Sequence, residues 1–273
     1  MQAFSHWSPP EGTLGTIVAE AEARAAGLEL VRARLEGALD ESPPGPSLAA
    51  ALRGTAVAVL AEVKRRSPSM GAIDESLNAV AQARAYARGG AAAVSILTEP
   101  AHFGGSIDDL RDVRAAVAIP VLKKDFHVAP IQLLEARVLG ASAALLIARA
   151  LSPARLEEML VHGKDIGLEL LVEIRDEEEL ERALRAGATM IGVNNRDLES
   201  LQIDPDTADR LIPLIPAGVV AIAESGVRDR SDVERYAACG ADAVLVGSAL
   251  SASAHPADAT RALTGIPRRS RAG

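Results

Sequence analysis

Eight near-continuous apolar runs, helical segments between them and a repeat of roughly 25 residues predict an α/β chain closed as a single (β/α)8 TIM barrel with an N-terminal helical extension. The runs begin near Val57, Ala92, Ile119, Ala143, Leu168, Met190, Val219 and Ala243. None alternates as a half-exposed strand would, which fits strands buried on both faces of a parallel sheet. Between them, segments 77–90, 106–117, 130–140, 152–167, 176–187 and 231–240 are rich in Ala, Glu and Arg at helical spacing. Several end in glycine just before the next strand, as a left-handed helix C-cap requires. Eight units close a barrel of about 250 residues. A chain of 273 residues therefore favours one domain over two.

Ahead of the first strand, residues 14–42 read as an amphipathic helix, followed by a Pro-Pro-Gly-Pro break at 43–46 and a short segment through Leu52. The expected division is an N-terminal extension over 1–53, the barrel over 54–265 and a basic C-terminal tail over 266–273. The tail, ending RRSRAG, is expected to fray. Two placements of the extension stay open. It covers the bottom or side of the barrel, or it reaches over the mouth and helps enclose a ligand.

Composition excludes several function classes. A formal charge of −8 opposes a nucleic-acid or anionic-membrane surface, both of which need a basic face. No apolar run approaches the roughly 20 residues of a membrane span. The first residues, MQAFSHWSPPEG, carry neither the charged nor the apolar region of a secretory leader. The lone cysteine, Cys239, cannot form an internal disulfide, so a cytoplasmic setting is expected. His6, His102, His127, His162 and His255 are scattered and form no cluster with cysteine, so zinc or haem has no visible ligand set.

Charge at the ends of apolar strands is the strongest functional signal. Residues 61–69 carry Glu62 and Lys64, 121–126 carry Lys124, 168–174 carry Glu173, 190–198 carry Asn194 and Arg196, and 219–226 end in Glu224, Ser225 and Gly226. Side chains two apart on a strand share a face. Glu62 and Lys64 point the same way, and Lys124, Glu173 and Glu224 each lie one step beyond an inward apolar residue: Leu122, Leu171 and Ile222. That position is the upper rim of a barrel, where catalysis is found in this architecture. Taken singly, each charge is as readily a solvated loop residue. On strands 1, 3, 5 and 7, which feed the same interior layer, they are expected to meet. The turns after strands 7 and 8 add Gly226, Gly247 and Ser248, whose backbone N–H groups suit an anion such as phosphate.

Together, AEVKRRSPS, SILTEPAHFGGS, VLKKDF, LLVEI, IGVNNRDL, AESGV and LVGSAL, in this order between about residues 57 and 250, resemble the indole-3-glycerol-phosphate synthase family. The resemblance implies a lyase of tryptophan biosynthesis. Its substrate would be 1-(2-carboxyphenylamino)-1-deoxyribulose 5-phosphate, converted to indole-3-glycerol phosphate, carbon dioxide and water without metal or organic cofactor. It also implies roles. Lys124 would be the general acid at the carbonyl oxygen, and Glu173 would stabilise positive charge and take part in proton transfer. Lys64 would pair with the substrate carboxylate, with Glu62 beside it, while Glu224 and Asn194 would orient the lysines and sugar hydroxyls. Ser67, Arg196, Ser225, Gly226, Gly247 and Ser248 would hold phosphate. Leu97, Phe103, Phe126, Leu145, Leu201 and Leu245 would surround the anthranilate ring.

Two other readings keep their place on the residues alone: a phosphosugar isomerase on the same barrel, sharing the strand 7 and 8 phosphate turns, and a non-catalytic barrel that binds a phosphorylated ligand. The expected partner in every case is a small phosphorylated molecule, bound by a monomer or weak homo-oligomer.

Overall fold

The computed structural model describes residues 7–68 and 71–271. His6 and the first half of the stretch read for a leader lie outside the described residues, as do Ser69 of the first strand motif and the last two residues of the basic tail. Eight strands form the barrel: β1 (Ala58–Val63), β2 (Ala93–Leu97), β3 (Val121–Lys124), β4 (Ala143–Ile147), β5 (Glu169–Ile174), β6 (Met190–Asn194), β7 (Val220–Glu224) and β8 (Ala243–Val246). The sheet closes in the order β1-β8-β7-β6-β5-β4-β3-β2, with parallel pairing throughout. Every residue of β2, β4, β6, β7 and β8 is buried, which is why these segments read as apolar runs.

Helices start where a side chain satisfies the free N–H groups of their first turn. Asn78 caps Ala79–Arg88, Ser106 caps Ile107–Ala116, Ser152 caps Pro153–Asp165, Asp176 caps Glu177–Arg185 and Asp229 caps Arg230–Cys239. The last of these ends on Gly240 in the left-handed region, at φ 91°, where a side chain would be strained. The helices after β6 and β8 are shorter. They are Asp206–Leu211 in the first case, and Ser248–Ser251 with Pro256–Ala262 in the second.

The extension does both of the things left open by the sequence. Helix α1 (Gly12–Glu29) lies at the mouth, with Leu14 and Ile17 buried among residues that line the central cavity. Its Arg24 donates to Asp125 Oδ1 at 2.8 Å, and Glu20 Oε2 lies 2.9 Å from His102 Nε2, so it is tied to the loops after β2 and β3. Helix α2 (Arg32–Leu39) descends the side. Its Leu35 joins Ala25 of α1 and Ile131 and Leu134 of the helix Pro130–Val138 in a separate apolar cluster. Helix α3 (Leu48–Ala51) reaches the bottom, where Glu169 at the start of β5 accepts from Ser47 Oγ at 2.5 Å and from Ala49 N at 2.8 Å.

The basic C-terminal residues depart from the expectation of a frayed tail. The chain returns to β1, with Val57 N donating to Ile266 O at 2.8 Å and Arg268 N to Thr55 O at 3.0 Å. Arg268 and Arg271 both pair with Asp242, Arg271 at 2.8 Å with both side chains 3% exposed. The physical reason is a buried carboxylate ahead of β8 that needs cationic partners. Asp242 also accepts from Ala221 N at 2.8 Å. Asp242→Ala is expected to destabilise the protein by about 3 kcal/mol or more, because it strands a buried guanidinium. Urea unfolding checks this; an unchanged midpoint would contradict it.

Candidate active site

All of the residues singled out in the sequence line one cavity of about 490 Å³ at the C-terminal end of the barrel. Register explains the convergence. Asn194 pairs with Glu224, Gly192 with Glu173, and Leu97 with Lys124, so the polar ends of adjacent strands stand at one level. Lys124 Nζ lies 3.1 Å from Glu224 Oε2 and 3.2 Å from Glu173 Oε2. Asn194 Nδ2 donates to the other Glu173 oxygen at 2.8 Å, fixing that carboxylate from a second side. Lys64 Nζ stands 3.5 Å from Glu62 Oε1.

The carboxylates of Glu62, Glu173 and Glu224 are buried, the two lysines are part-buried, and the ionisation of Lys124 is linked to that of Glu224. Burial alone would discharge Lys124, but the nearby carboxylates of Glu224, Glu173 and Glu62 outweigh it and hold the ammonium above its ordinary pKa. Burial pushes Glu224 up to about 8, opposed by Lys124 and reinforced by Glu173. Lys124 and Glu224 therefore titrate together rather than one by one. One oxygen of Glu224 carries the contact to Lys124. The other, Oε1, is buried and has no hydrogen-bond partner among the described residues.

Around this charged floor the walls differ by strand. From β2 to β4 come Leu97, Phe103, Phe126 and Leu145, with the two phenylalanine rings 6.2 Å apart and tilted by 38°. Lys64 Nζ sits 5.7 Å over the Phe103 ring, within cation–π reach. Phe103 is held by Glu99, a buried carboxylate whose oxygens accept from the backbone N–H groups of Ala101, His102 and Phe103 at 2.7–3.0 Å. From β6 to β8, across the barrel, come Arg196, Ser225, Gly226, Gly247 and Ser248. Ser225 and Gly226 are both left-handed, at φ 63° and 85°. Successive turns of this kind point N–H groups into a shared concavity suited to an anion. Arg196 is half-buried, donates to Leu201 O at 2.8 Å and is positioned by Asn194 Oδ1, which accepts from its backbone N at 2.9 Å. Leu201 and Leu245 line the cavity from this second side, so the apolar set does not form one wall.

The structure adds residues that strand-end reading missed. Thr13, Leu14 and Ile17 enter from α1, and Asp125, Leu198, Ile203 and Arg228 from the loops. Asp125 was signalled only by its place beside Lys124; it accepts from Thr98 Oγ1 at 2.6 Å as well as from Arg24. Trp7 donates its indole N–H to Arg149 O at 3.2 Å. Among the described residues Glu20, Glu99 and His102 approach one another as metal ligands would, but both Glu99 oxygens are already taken by backbone N–H groups.

A family model described as indole-3-glycerol phosphate synthase matches residues 15–263. The chain belongs to the indole-3-glycerol phosphate synthase family. It is 48% identical over 246 residues to the indole-3-glycerol phosphate synthase of Mycobacteroides abscessus, covering 90% of each chain. It is 46% identical over 256 residues to indole-3-glycerol phosphate synthase 2 of Streptomyces coelicolor, covering 93% of this chain and 99% of that one. Among solved structures, 3-hexulose-6-phosphate synthase from Salmonella typhimurium aligns with a TM-score of 0.63 at 14% identity, over 76% of this chain and 96% of its own. Thiamine phosphate pyrophosphorylase from Pyrococcus furiosus aligns at 0.57 and 15% identity, over 76% and 93%. Likeness at that level concerns the barrel fold alone.

The cavity has a neighbour, a hollow of about 140 Å³ that shares Glu173, Asn194 and Arg196 with it and is also lined by Glu179. Burial, reinforced by Asp176, pushes Glu179 up to about 7 from an ordinary 4.5. As pH rises from 4.5 to about 7, the unfolded chain loses this proton while the folded chain keeps it, so stability falls across that window and stays lowered above it. Glu179→Gln removes the penalty. The variant is expected to gain roughly 1–3 kcal/mol at pH 8 and nothing at pH 4. Thermal unfolding at the two pH values checks this, and an equal shift at both would contradict it.

Proposed function

We propose that this cavity closes the indole ring, taking 1-(2-carboxyphenylamino)-1-deoxyribulose 5-phosphate and releasing indole-3-glycerol phosphate, carbon dioxide and water. The observation that carries this reading is the placement of Lys124 between Glu173 and Glu224, in a cavity that also holds Lys64 beside two aromatic rings. An isomerase needs a carboxylate base near a phosphate site, but not two part-buried ammonium groups and an aromatic wall.

Ring closure forms a carbon–carbon bond between the ring carbon bearing the carboxylate and the sugar carbonyl carbon. The carbonyl oxygen takes a proton as the bond forms, and the arene is left cationic. Lys124 supplies that proton. Its tight pairing makes it a weak acid in the ground state, so transfer waits until negative charge develops on the oxygen in the transition state. Glu173, oriented by Asn194, faces the cationic ring and stabilises it. Loss of carbon dioxide then returns an electron pair to the ring. The new hydroxyl leaves as water on a second proton, a proton is lost from the former sugar methylene, and aromaticity is complete. Lys64 pairs with the substrate carboxylate and serves the later proton transfer, with Glu62 holding it in place.

Phosphate occupies the β6–β8 side, on Arg196 and the N–H groups of the turns at Ser225–Gly226 and Gly247–Ser248, while Ser67 reaches the cavity from the loop after β1. The anthranilate ring takes the side with Phe103, Phe126, Leu97 and Leu145, with Leu201 and Leu245 completing its surroundings. Anchoring the two ends across the barrel supplies the orientation that internal attack needs. The single Cys239, which forms no disulfide, suits a reducing cytoplasm, and the protein acts there as a monomer or weak homo-oligomer.

Purified protein incubated with the carboxyphenylamino ribulose phosphate, without added metal, is expected to generate indole fluorescence; none would reject the reaction. Lys124→Met should lower turnover by on the order of 100- to 10,000-fold while leaving substrate binding mostly intact. Turnover near normal would remove Lys124 from its role. Arg196→Ala should weaken binding of indole-3-glycerol phosphate by about tenfold, some 1.4 kcal/mol, and slow chemistry less. Titration calorimetry measures this, and an unchanged dissociation constant would move the phosphate elsewhere.

A further inference from the structure

Beneath the charged cluster lies a glycine whose reason for being glycine is not in its backbone. Gly192 sits inside β6, two residues before Asn194 and on the same inward face, and it is not among the residues with positive φ. Any residue could adopt that strand conformation. What a side chain would meet is Glu224. A Cβ built on Gly192 overlaps Glu224 Oε1 and lies 2.9 Å from its Cδ; the next atom, Leu171 Cδ1, is at an ordinary 3.4 Å. The carboxylate of Glu224 therefore rests in the space a side chain at 192 would fill. Its Oε1 is the buried oxygen with no partner among the described residues, and its Oε2 is left for Lys124.

A second glycine leaves room for a carboxylate, this time at the oxygen that faces the lysine. Gly247 follows β8 with φ −109° and ψ −78°, again not a left-handed conformation, and a Cβ there would stand 2.5 Å from Glu62 Oε1 and 3.3 Å from its Cδ. Glu62 Oε1 is the oxygen that faces Lys64. Two of the three lysine–carboxylate contacts in the cavity, those of Glu224 and Glu62, are thus backed by a glycine on or just past an adjacent strand.

We propose that Gly192 is a positioning residue for the reaction: its missing side chain forms the seat that holds Glu224 with a single oxygen turned toward Lys124. This rests on the reading of Lys124 as the proton donor. Because the overlapped atoms are the far end of a side chain and not backbone, Gly192→Ala displaces the carboxylate and leaves the barrel standing. A misplacement of about 1 Å near the reacting groups costs on the order of 100-fold in rate.

The test is a double-mutant cycle of Gly192→Ala with Glu224→Asp, whose shorter side chain withdraws the carboxylate from the seat. Gly192→Ala alone is expected to lower kcat about 100-fold with KM changed less than about threefold. In the Glu224→Asp background the same substitution should cost less than about threefold. Equal losses in both backgrounds, or no loss in the first, would overturn the proposal. A second readout does not depend on turnover: carbon-13 NMR of the Glu224 carboxyl. Its titration should move down from about 8 in Gly192→Ala, as the group leaves its buried niche. An unmoved titration would also overturn the seat. If wild-type protein makes no indole from the substrate, the reaction assignment fails while this titration still decides on the seat. Should Gly192→Ala not fold, Glu224→Asp in the same chain must restore a folded protein, and failure to restore it counts against the proposal.

Discussion

The structure depends on one constraint: a buried ammonium group is stable only between carboxylates, and those carboxylates are stable only around it. Lys124, Glu173 and Glu224 occupy the inside of a barrel whose strands are otherwise apolar, where an isolated ion would neutralise itself. Removing Lys124 would leave two buried carboxylates without their cation, and strand register is what brings the three together. The hydrogen bond from Asn194 to Glu173 is part of the same arrangement, because it fixes which oxygen remains for the lysine.

The remainder of the fold holds this cluster in register. Helix α1 covers the mouth, and its Arg24 reaches Asp125, the residue next to Lys124. At the other end Arg268 and Arg271 close on Asp242, again a buried carboxylate answered by cations. The extension runs from one end of the barrel to the other, touching β5 through Ser47 and the floor through Arg53, which donates to Gly218 O at 2.7 Å. A chain segment outside the barrel thus links the rim that carries the chemistry to the base that carries stability.

The barrel was legible in the sequence because strands buried on both faces are written as apolar runs, and glycines marked the helix ends. Site residues such as Lys124, Glu173 and Glu224 stood out because a charge at the end of such a run has no packing reason to be there. Other features left no local signal. The path of α1 over the mouth is decided by tertiary partners, Arg24 with Asp125 and Leu14 and Ile17 with the cavity, that amphipathic spacing does not name. The tail looked free because Arg268 and Arg271 reveal nothing of Asp242, a single carboxylate hidden ahead of an apolar strand. Gly192 was invisible for a different reason: inside an apolar run it reads as a small core residue, and only the coordinates place Glu224 in the space above it.

The most direct test of the account is a crystal structure of the protein with the unreacted substrate, trapped in the Lys124→Met variant and superposed on the wild-type chain. The account predicts phosphate on the β6–β8 turns, the aryl ring by Phe103 and Phe126, and the sugar carbonyl oxygen about 3 Å from the wild-type position of Lys124 Nζ. A carbonyl turned away from Lys124, or a substrate bound outside this cavity, would contradict it.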